Sequence, residues 1–212
     1  MMFKPDEREY RSFESFSLEK GSDEKMVTGY ASTFDEYVLR DFGDEVWTER
    51  ISRDAFNETN LSDVVFLRDH NGPVLARTKN ETLQLSVDDH GLFSKTDLSK
   101  TSTSRAMYED IDAGLYDQMS FGFVVGKQHF IEEERDGKVF VHRIIDSVRK
   151  IFDVSAVAFP ANPTTDIGVA TRSAFDGGIE ELRAERLKNE KEMNEAARQR
   201  LLLKLKMEEQ EK

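Results

Sequence analysis

Three polar residues stand in apolar surroundings where their side chains could carry out nucleophilic catalysis. His70 ends the apolar run VVFLRDH and precedes Asn71-Gly72-Pro73, so a strand delivers an imidazole to a rim where the chain must turn. Ser120 lies in the bulky segment MSFGF, where Gly122 would let a substrate backbone approach closely. Asp153 is set in the apolar run FDVSAVAF. A hydroxyl, an imidazole base and a carboxylate that orients the base are the groups needed for acyl transfer.

Each of these residues also has a purely structural interpretation. His70 could be a partly exposed histidine at a strand end, and Ser120 could donate its hydroxyl proton to a neighbouring carbonyl. Asp153 could form an ion pair with Arg149 or Lys150. The residue types alone leave both interpretations open.

The other three histidines carry less information. His90 lies in a turn and His129 follows the glycine of VVGKQHF, so both are expected to face solvent without a role. His142 alternates with the apolar residues of VFVHRII and is expected to be an ordinary strand histidine.

The elements that position these groups are predicted to be mostly strands. Short apolar or alternating runs rich in Val and Phe predict strands at residues 27–34, 64–67, 83–87, 119–125, 139–145 and 152–159. Turn residues at 88–91 and 135–138 predict two hairpins. Two helices are expected among the strands, one entered at Ser52 and one from about Thr103 to Asp112.

This pattern predicts a mainly β fold of α+β type, in which a β-barrel or strongly curved sheet carries helices on its surface. Three segments are expected: an N-terminal extension at residues 1–26, a β-rich domain at 27–175, and a charged helical tail at 176–212. The tail is expected to be entered through a hinge at Gly177-Gly178. It is equally compatible with a solvated spacer and with a helix that binds a partner.

The composition excludes several classes of function. The formal net charge is -12, with 30 Lys and Arg against 42 Asp and Glu, which argues against nucleic acid as a partner. There is no cysteine for a thiol nucleophile, disulfide or thiolate-bound zinc, and this suits a reducing cytoplasm. No membrane-spanning or secretory segment is recognisable, and no motif for a metal or nucleotide cofactor is present.

The order of the motifs resembles that of a known family. GYASTFD at residues 29 to 35, LRDHNG at 67 to 72, MSFGF at 119 to 123 and FDVSAVAFPANP at 152 to 163 are together similar to the prohead (capsid maturation) serine proteases of tailed phages. The pairing of Ser-Phe-Gly-Phe with Pro-Ala-Asn is the most diagnostic part. The resemblance covers about residues 27–172.

The resemblance implies a fold and a set of site residues. The family is related to the herpesvirus assemblins, which implies a closed β-barrel surrounded by helices. It implies that Ser120 is the nucleophile, His70 the general base and Asp153 the orienting acid. Many relatives have Glu where this chain has Asp153, and His142 is the fallback third member if an assemblin-type His–His arrangement holds. Backbone N–H groups near the Pro160 to Pro163 turn are the analogous place for an oxyanion hole.

The resemblance also implies a biological role. It implies an endopeptidase without a cofactor that acts inside the assembling procapsid in the host cytoplasm. The expected substrates are scaffold protein, the scaffolding segment of the major capsid protein, and the protease itself. A homo-oligomer is left open. The competing interpretations are a non-enzymatic scaffold or capsid-assembly protein, which the acidic charge and helical tail would also suit, and a metal-dependent hydrolase, for which no ligand spacing is present.

Overall fold

The described residues of the chain form eleven strands and two α-helices that surround one main apolar core. The computed structural model describes residues 7–14, 16–18, 25–159 and 169–210. The elements are β1 (Glu9–Glu14), β2 (Phe16–Leu18), β3 (Met26–Thr33), β4 (Tyr37–Asp41), β5 (Glu45–Ile51), β6 (Val65–Arg68), β7 (Asn71–Arg77), β8 (Leu83–Val87), β9 (Gly91–Asp97), α1 (Ser102–Asp112), β10 (Gln118–Arg135), β11 (Lys138–Val157) and α2 (Val169–Gln210), with a short 3-10 turn at Thr78–Asn80.

The strands form two sheets. The larger, seven-stranded sheet has the order β1-β10-β11-β5-β4, with β6 also paired to β11, and β7 paired to β6. The smaller, four-stranded sheet has the order β2-β3-β9-β8. β1 and β2 follow each other directly in the chain but belong to different sheets, so the N-terminal segment links the two.

The long hairpin of β10 and β11 forms the middle of the larger sheet. Its turn has positive φ at Asp136 and Gly137, as a tight two-residue hairpin turn requires. β11 pairs in parallel with β5 along residues 139–145 and with β6 along residues 153–156. Register shifts in the middle of the hairpin mark β-bulges, which bend a strand without ending it.

The prediction of a closed, assemblin-like β-barrel is wrong. Neither sheet closes on itself in the described part of the chain: β4, β7 and β1 are each paired on one side in the larger sheet, as are β2 and β8 in the smaller one. The architecture is a mixed α/β arrangement of two open sheets. Alternation of apolar and polar residues specifies which face of a strand is buried, but it does not specify which strand lies beside it.

Several element predictions are confirmed and others need correction. The strands near residues 27, 64, 83 and 119, both hairpins, and α1 are present. The helix expected at Ser52 is instead a series of turns, with Ala55 N–H bonded to Ser52 O and Asn57 N–H to Asp54 O. The two strands expected at 139–145 and 152–159 are parts of the single strand β11.

The charged C-terminal helix is present, but it begins earlier than predicted. α2 starts at Val169 and runs through Gly177-Gly178 without a hinge. One face of its early turns is buried, where Phe175 stacks on Trp47 with ring centroids 4.5 Å apart and Ile179 joins the same cluster. No helix in the described ranges is long and apolar enough to cross a membrane.

Candidate active site

His70 lies in a two-residue turn between β6 and β7. Asp69 and His70 have φ values of 48° and 57°, a left-handed conformation that Asp and His adopt more readily than most side chains. The chain therefore turns just before Asn71, not at Asn71-Gly72-Pro73 as predicted. The Asp69 N–H bonds to Ala156 O at 2.9 Å, and the Asp69 carboxylate accepts the Ala158 N–H at 3.1 Å. These bonds fix the strained turn against the end of β11.

Ser120 lies near the start of β10, between β1 and β11. It is fully buried, opposite Ser12 of β1 and Ser155 of β11. Its Oγ lies 2.7 Å from His70 Nε2 and 2.9 Å from the main-chain oxygen of Arg11. The hydroxyl has one proton and two acceptors within reach, so it can donate to either of them.

Asp153 lies on β11 with its side chain 1% exposed. Oδ2 lies 2.5 Å from His70 Nδ1 and accepts the Ser155 hydroxyl at 2.8 Å, while Arg8 approaches Oδ1 at 3.5 Å. A buried carboxylate is costly unless it is paired and hydrogen-bonded, and these three partners meet that need. The structure pairs Asp153 with His70 and Arg8, which the structural interpretation of the sequence did not consider.

The structure thus brings all three predicted site residues into one hydrogen-bonded row. An Nδ1–H donated to Asp153 leaves His70 Nε2 free to accept the Ser120 proton. Both distances fall within the range required for a nucleophile and its base. This arrangement is chemically suited to acyl transfer at Ser120.

Gly122 provides space inside the site. A Cβ at this position would lie 2.6 Å from Asp153 Oδ1 and 2.9 Å from Tyr10 Cε1. The glycine was expected to admit a substrate backbone, but the space beside it is filled by Asp153 and Tyr10. Gly122 therefore lets two side chains of the site pack closely.

Several residues of the site were not found from the sequence. Ser155 lies two residues after Asp153, so strand alternation could have placed both on one face. Arg8, Tyr10 and the Arg11 carbonyl come from the N-terminal segment, which the prediction kept apart from the β-rich domain. No local pattern indicates them, because they reach the site through the pairing of β1 with β10, more than 100 residues later in the chain.

A cluster of buried charges lies on the other face of β1. Glu9 and Arg11 of β1 meet Glu49 of β5 and Arg143 of β11 in a network of hydrogen bonds of 2.5 to 2.7 Å. Thr171 of α2 adds a hydroxyl that donates to Glu9 at 3.0 Å. We call Glu9, Arg11, Glu49 and Arg143 the buried charge cluster.

The cluster keeps its carboxylates ionised. Burial alone would raise the pKa of Glu9, but Arg143 and Arg11 outweigh burial and hold that pKa well below its ordinary value. The pKa of Glu49 is lowered in the same way, with Arg11 and Arg143 overcoming burial. Burial also acts against the charge of Arg143, yet Glu9 and Glu49 raise its pKa. Each charge is therefore matched within the cluster.

The remaining sequence predictions concern residues away from the site. His90 is exposed beside Tyr30, and His129 is exposed and bonded to Asp146 at 2.8 Å. His142 bonds through Nδ1 to Thr48 and Glu36. His142 lies near the start of β11, whereas the residue of β11 that pairs with Ser120 is Ser155, near the end of that strand. His142 is therefore not beside Ser120. The expected oxyanion turn at Pro160 to Pro163 lies outside the described residues.

Comparison with known proteins identifies a family. A family model described as Caudovirus prohead serine protease matches residues 12–177. No curated protein and no solved structure matches the chain.

Proposed function

The chain belongs to the Caudovirus prohead serine protease family, and from this premise we propose that Ser120, His70 and Asp153 form its catalytic triad. Membership makes the chain a serine protease of capsid maturation that acts inside the procapsid. Family membership favours this role over that of a non-enzymatic scaffold protein. The observation that carries the proposal is the row of contacts Asp153–His70–Ser120, at 2.5 Å and 2.7 Å.

The first step is attack by Ser120. His70 Nε2 takes the hydroxyl proton while Oγ forms a bond to the scissile carbonyl carbon. The imidazolium that results is stabilised by the Asp153 carboxylate, which accepts the Nδ1–H. Ser155 and Arg8 keep this carboxylate oriented.

The second step releases the new N-terminus. His70 returns its proton to the leaving amine, and an acyl-enzyme ester remains on Ser120. Water then attacks the ester, with His70 again as the base, and Ser120 regains its proton when the carboxylic acid product leaves. Every proton in this cycle passes through His70 Nε2, so no further cofactor is required.

The Arg11 carbonyl gives the free enzyme an unproductive alternative. When the Ser120 hydroxyl donates to Arg11 O at 2.9 Å, its proton is not directed to His70. Attack requires the rotamer in which the hydroxyl points to Nε2.

The substrates that we propose are the capsid and scaffold proteins of the same phage. Proteins of this kind are the general substrates that the family implies. We assign to this chain the removal of scaffold protein or of the scaffolding segment of the major capsid protein, together with self-cleavage. The acidic charge of -12 would favour basic segments near the cleavage sites.

Co-expression with the cognate capsid and scaffold proteins tests this function. The native chain should give cleaved products, and the Ser120→Ala variant should give none. Ser94→Ala is the matched control, since Ser94 is another fully buried strand serine, bonded to Thr96 on β9. Equal cleavage by the Ser120→Ala variant and the native chain would refute the assignment of the nucleophile.

A further inference from the structure

Strand β1 presents two different faces to the rest of the protein. The side chains of Glu9 and Arg11 enter the buried charge cluster, whereas Arg8 and Tyr10 reach the opposite side, where the candidate triad lies. The segment 8–11 precedes residue 12, at which the family match begins. It therefore adds contacts to the site from outside the matched region.

Tyr10 lies directly against the imidazole of His70. The two ring centroids are 4.2 Å apart and the ring planes are inclined by 52°. His70 uses Nδ1 for Asp153 and Nε2 for Ser120, so Tyr10 contacts an imidazole whose two nitrogens are already engaged. An aromatic ring at this distance attracts a cation through its quadrupole, and it does so more strongly for the imidazolium than for the neutral imidazole.

The site has room for Tyr10 and fixes the backbone that carries it. Gly122 leaves the room that Tyr10 occupies, because a Cβ there would lie 2.9 Å from Tyr10 Cε1. The neighbouring residues Glu9 and Arg11 are fixed by hydrogen bonds of 2.7 Å or shorter to Arg143 and Glu49. The backbone at Tyr10 is therefore anchored on the side opposite His70.

We propose that Tyr10 is a positioning residue for His70 and that its ring stabilises the imidazolium formed during acyl transfer. The proposal rests on the triad assigned above. Because His70 takes up a proton during the bond-making and bond-breaking steps at Ser120, Tyr10 should affect the rate of the chemical steps and not the binding of substrate.

Fluorophosphonate labelling of the full chain measures this effect without a known substrate. In the reaction, Ser120 Oγ forms a bond to phosphorus, fluoride leaves, and the hydroxyl proton passes to His70. The dependence of the rate on probe concentration separates the maximal labelling rate constant from the apparent affinity for the probe.

Three replacements of Tyr10 separate a cation effect from simple packing. Tyr10→Phe keeps the ring and should label within about twofold of the native rate. Pentafluorophenylalanine at position 10 keeps the shape but reverses the ring quadrupole, and should lower the maximal rate constant roughly 3- to 30-fold relative to phenylalanine. Tyr10→Leu should lower it by a similar factor, with the apparent affinity for the probe unchanged in all three.

Tyr30 provides a matched control. Its ring lies 4.4 Å from the ring of His90, in a similar pair on β3 of the smaller sheet, and Tyr30→Leu should label at the native rate. Equal maximal rate constants for the Phe, pentafluoro and Leu variants would overturn the proposal while leaving the triad intact. Failure of the triad itself would appear differently, as labelling of the Ser120→Ala variant at the native rate.

Discussion

Glu9 accepts two hydrogen bonds of 2.7 Å from the guanidinium of Arg143, one on each carboxylate oxygen. This bidentate pair joins the N-terminal strand β1 to the central strand β11, although the two strands are not neighbours in the sheet. Since β1 contacts His70 and Ser120, and Arg8 just before it contacts Asp153, the pair fixes the strand that supports the active site.

The buried charge cluster should make stability depend on acid pH. Arg143 and Arg11 overcome burial and lower the pKa of Glu9 and Glu49 in the folded protein, so the cluster stabilises the fold fully above the unfolded value of about 4.5. That stabilisation is lost as the pH falls through the folded pKa values. In urea unfolding, the contribution of the cluster to the free energy of unfolding should therefore be constant from pH 6 to 8. Below about pH 4.5 the free energy of unfolding should decrease.

Glu9→Gln is the comparison for this pH dependence. It should lower the free energy of unfolding at pH 7 by about 3–5 kcal/mol, because it leaves buried guanidinium charge without its partner. Its stability should change less between pH 6 and 3 than that of the native chain. The same loss with acid in both proteins would show that Glu9 does not carry the effect.

Changes at Asp153 and Ser155 should differ strongly in size. Asp153→Asn keeps the shape but removes the charge facing His70, so the maximal labelling rate should fall by about 10⁴-fold. Ser155→Ala removes one hydrogen bond to that carboxylate, which is worth about 1.5–3 kcal/mol. The maximal labelling rate should therefore fall by roughly 10- to 150-fold. Comparable losses in the two variants would argue against different roles for them.

Gly122→Ala should damage the site from within. The new Cβ would meet Asp153 Oδ1 at 2.6 Å and Tyr10 Cε1 at 2.9 Å, so both side chains must shift. We expect a loss of about 1–3 kcal/mol in the free energy of unfolding, together with a much slower labelling rate. A native labelling rate in this variant would mean that the positions of Asp153 and Tyr10 are not critical.

Two adjacent glycines in α2 should respond in opposite ways. Gly177 has no atom within 4 Å of an added Cβ, so Gly177→Ala should stabilise the helix by about 0.5–1 kcal/mol. At Gly178 the Cβ would lie 2.2 Å from the ring of Phe130, so Gly178→Ala should destabilise the contact of α2 with β10. Thermal unfolding of the two variants measures both effects, and equal shifts would contradict the observed packing.

The sequence was most informative where strands carry apolar side chains. The alternation in residues 27–34, 83–87 and 119–125 correctly predicted strands, and polar residues within such runs indicated Ser120 and Asp153. β1 and β5 were missed because their inward side chains include Glu9, Arg11 and Glu49. Their charges belong to the buried charge cluster, which a pattern of hydrophobicity cannot reveal.

The remaining errors each have a physical cause. The polar stretch from Asp146 to Lys150 divided β11 into two predicted strands, whereas bulges in the pairing with β10 let it continue. The segment after Ser52 has the residues of a helix start, but it forms separate turns and no helix. Closure of a sheet into a barrel depends on pairing between strands that are distant in the sequence. Local sequence patterns therefore could not show that the sheets stay open.

The most direct test of the triad is to identify the residue that reacts with a fluorophosphonate probe. Mass spectrometry of the labelled full-length protein should find the adduct on the peptide containing Ser120, with no adduct in the Ser120→Ala variant and native labelling of Ser94→Ala. An adduct on another serine, or native labelling of the Ser120→Ala variant, would contradict the account.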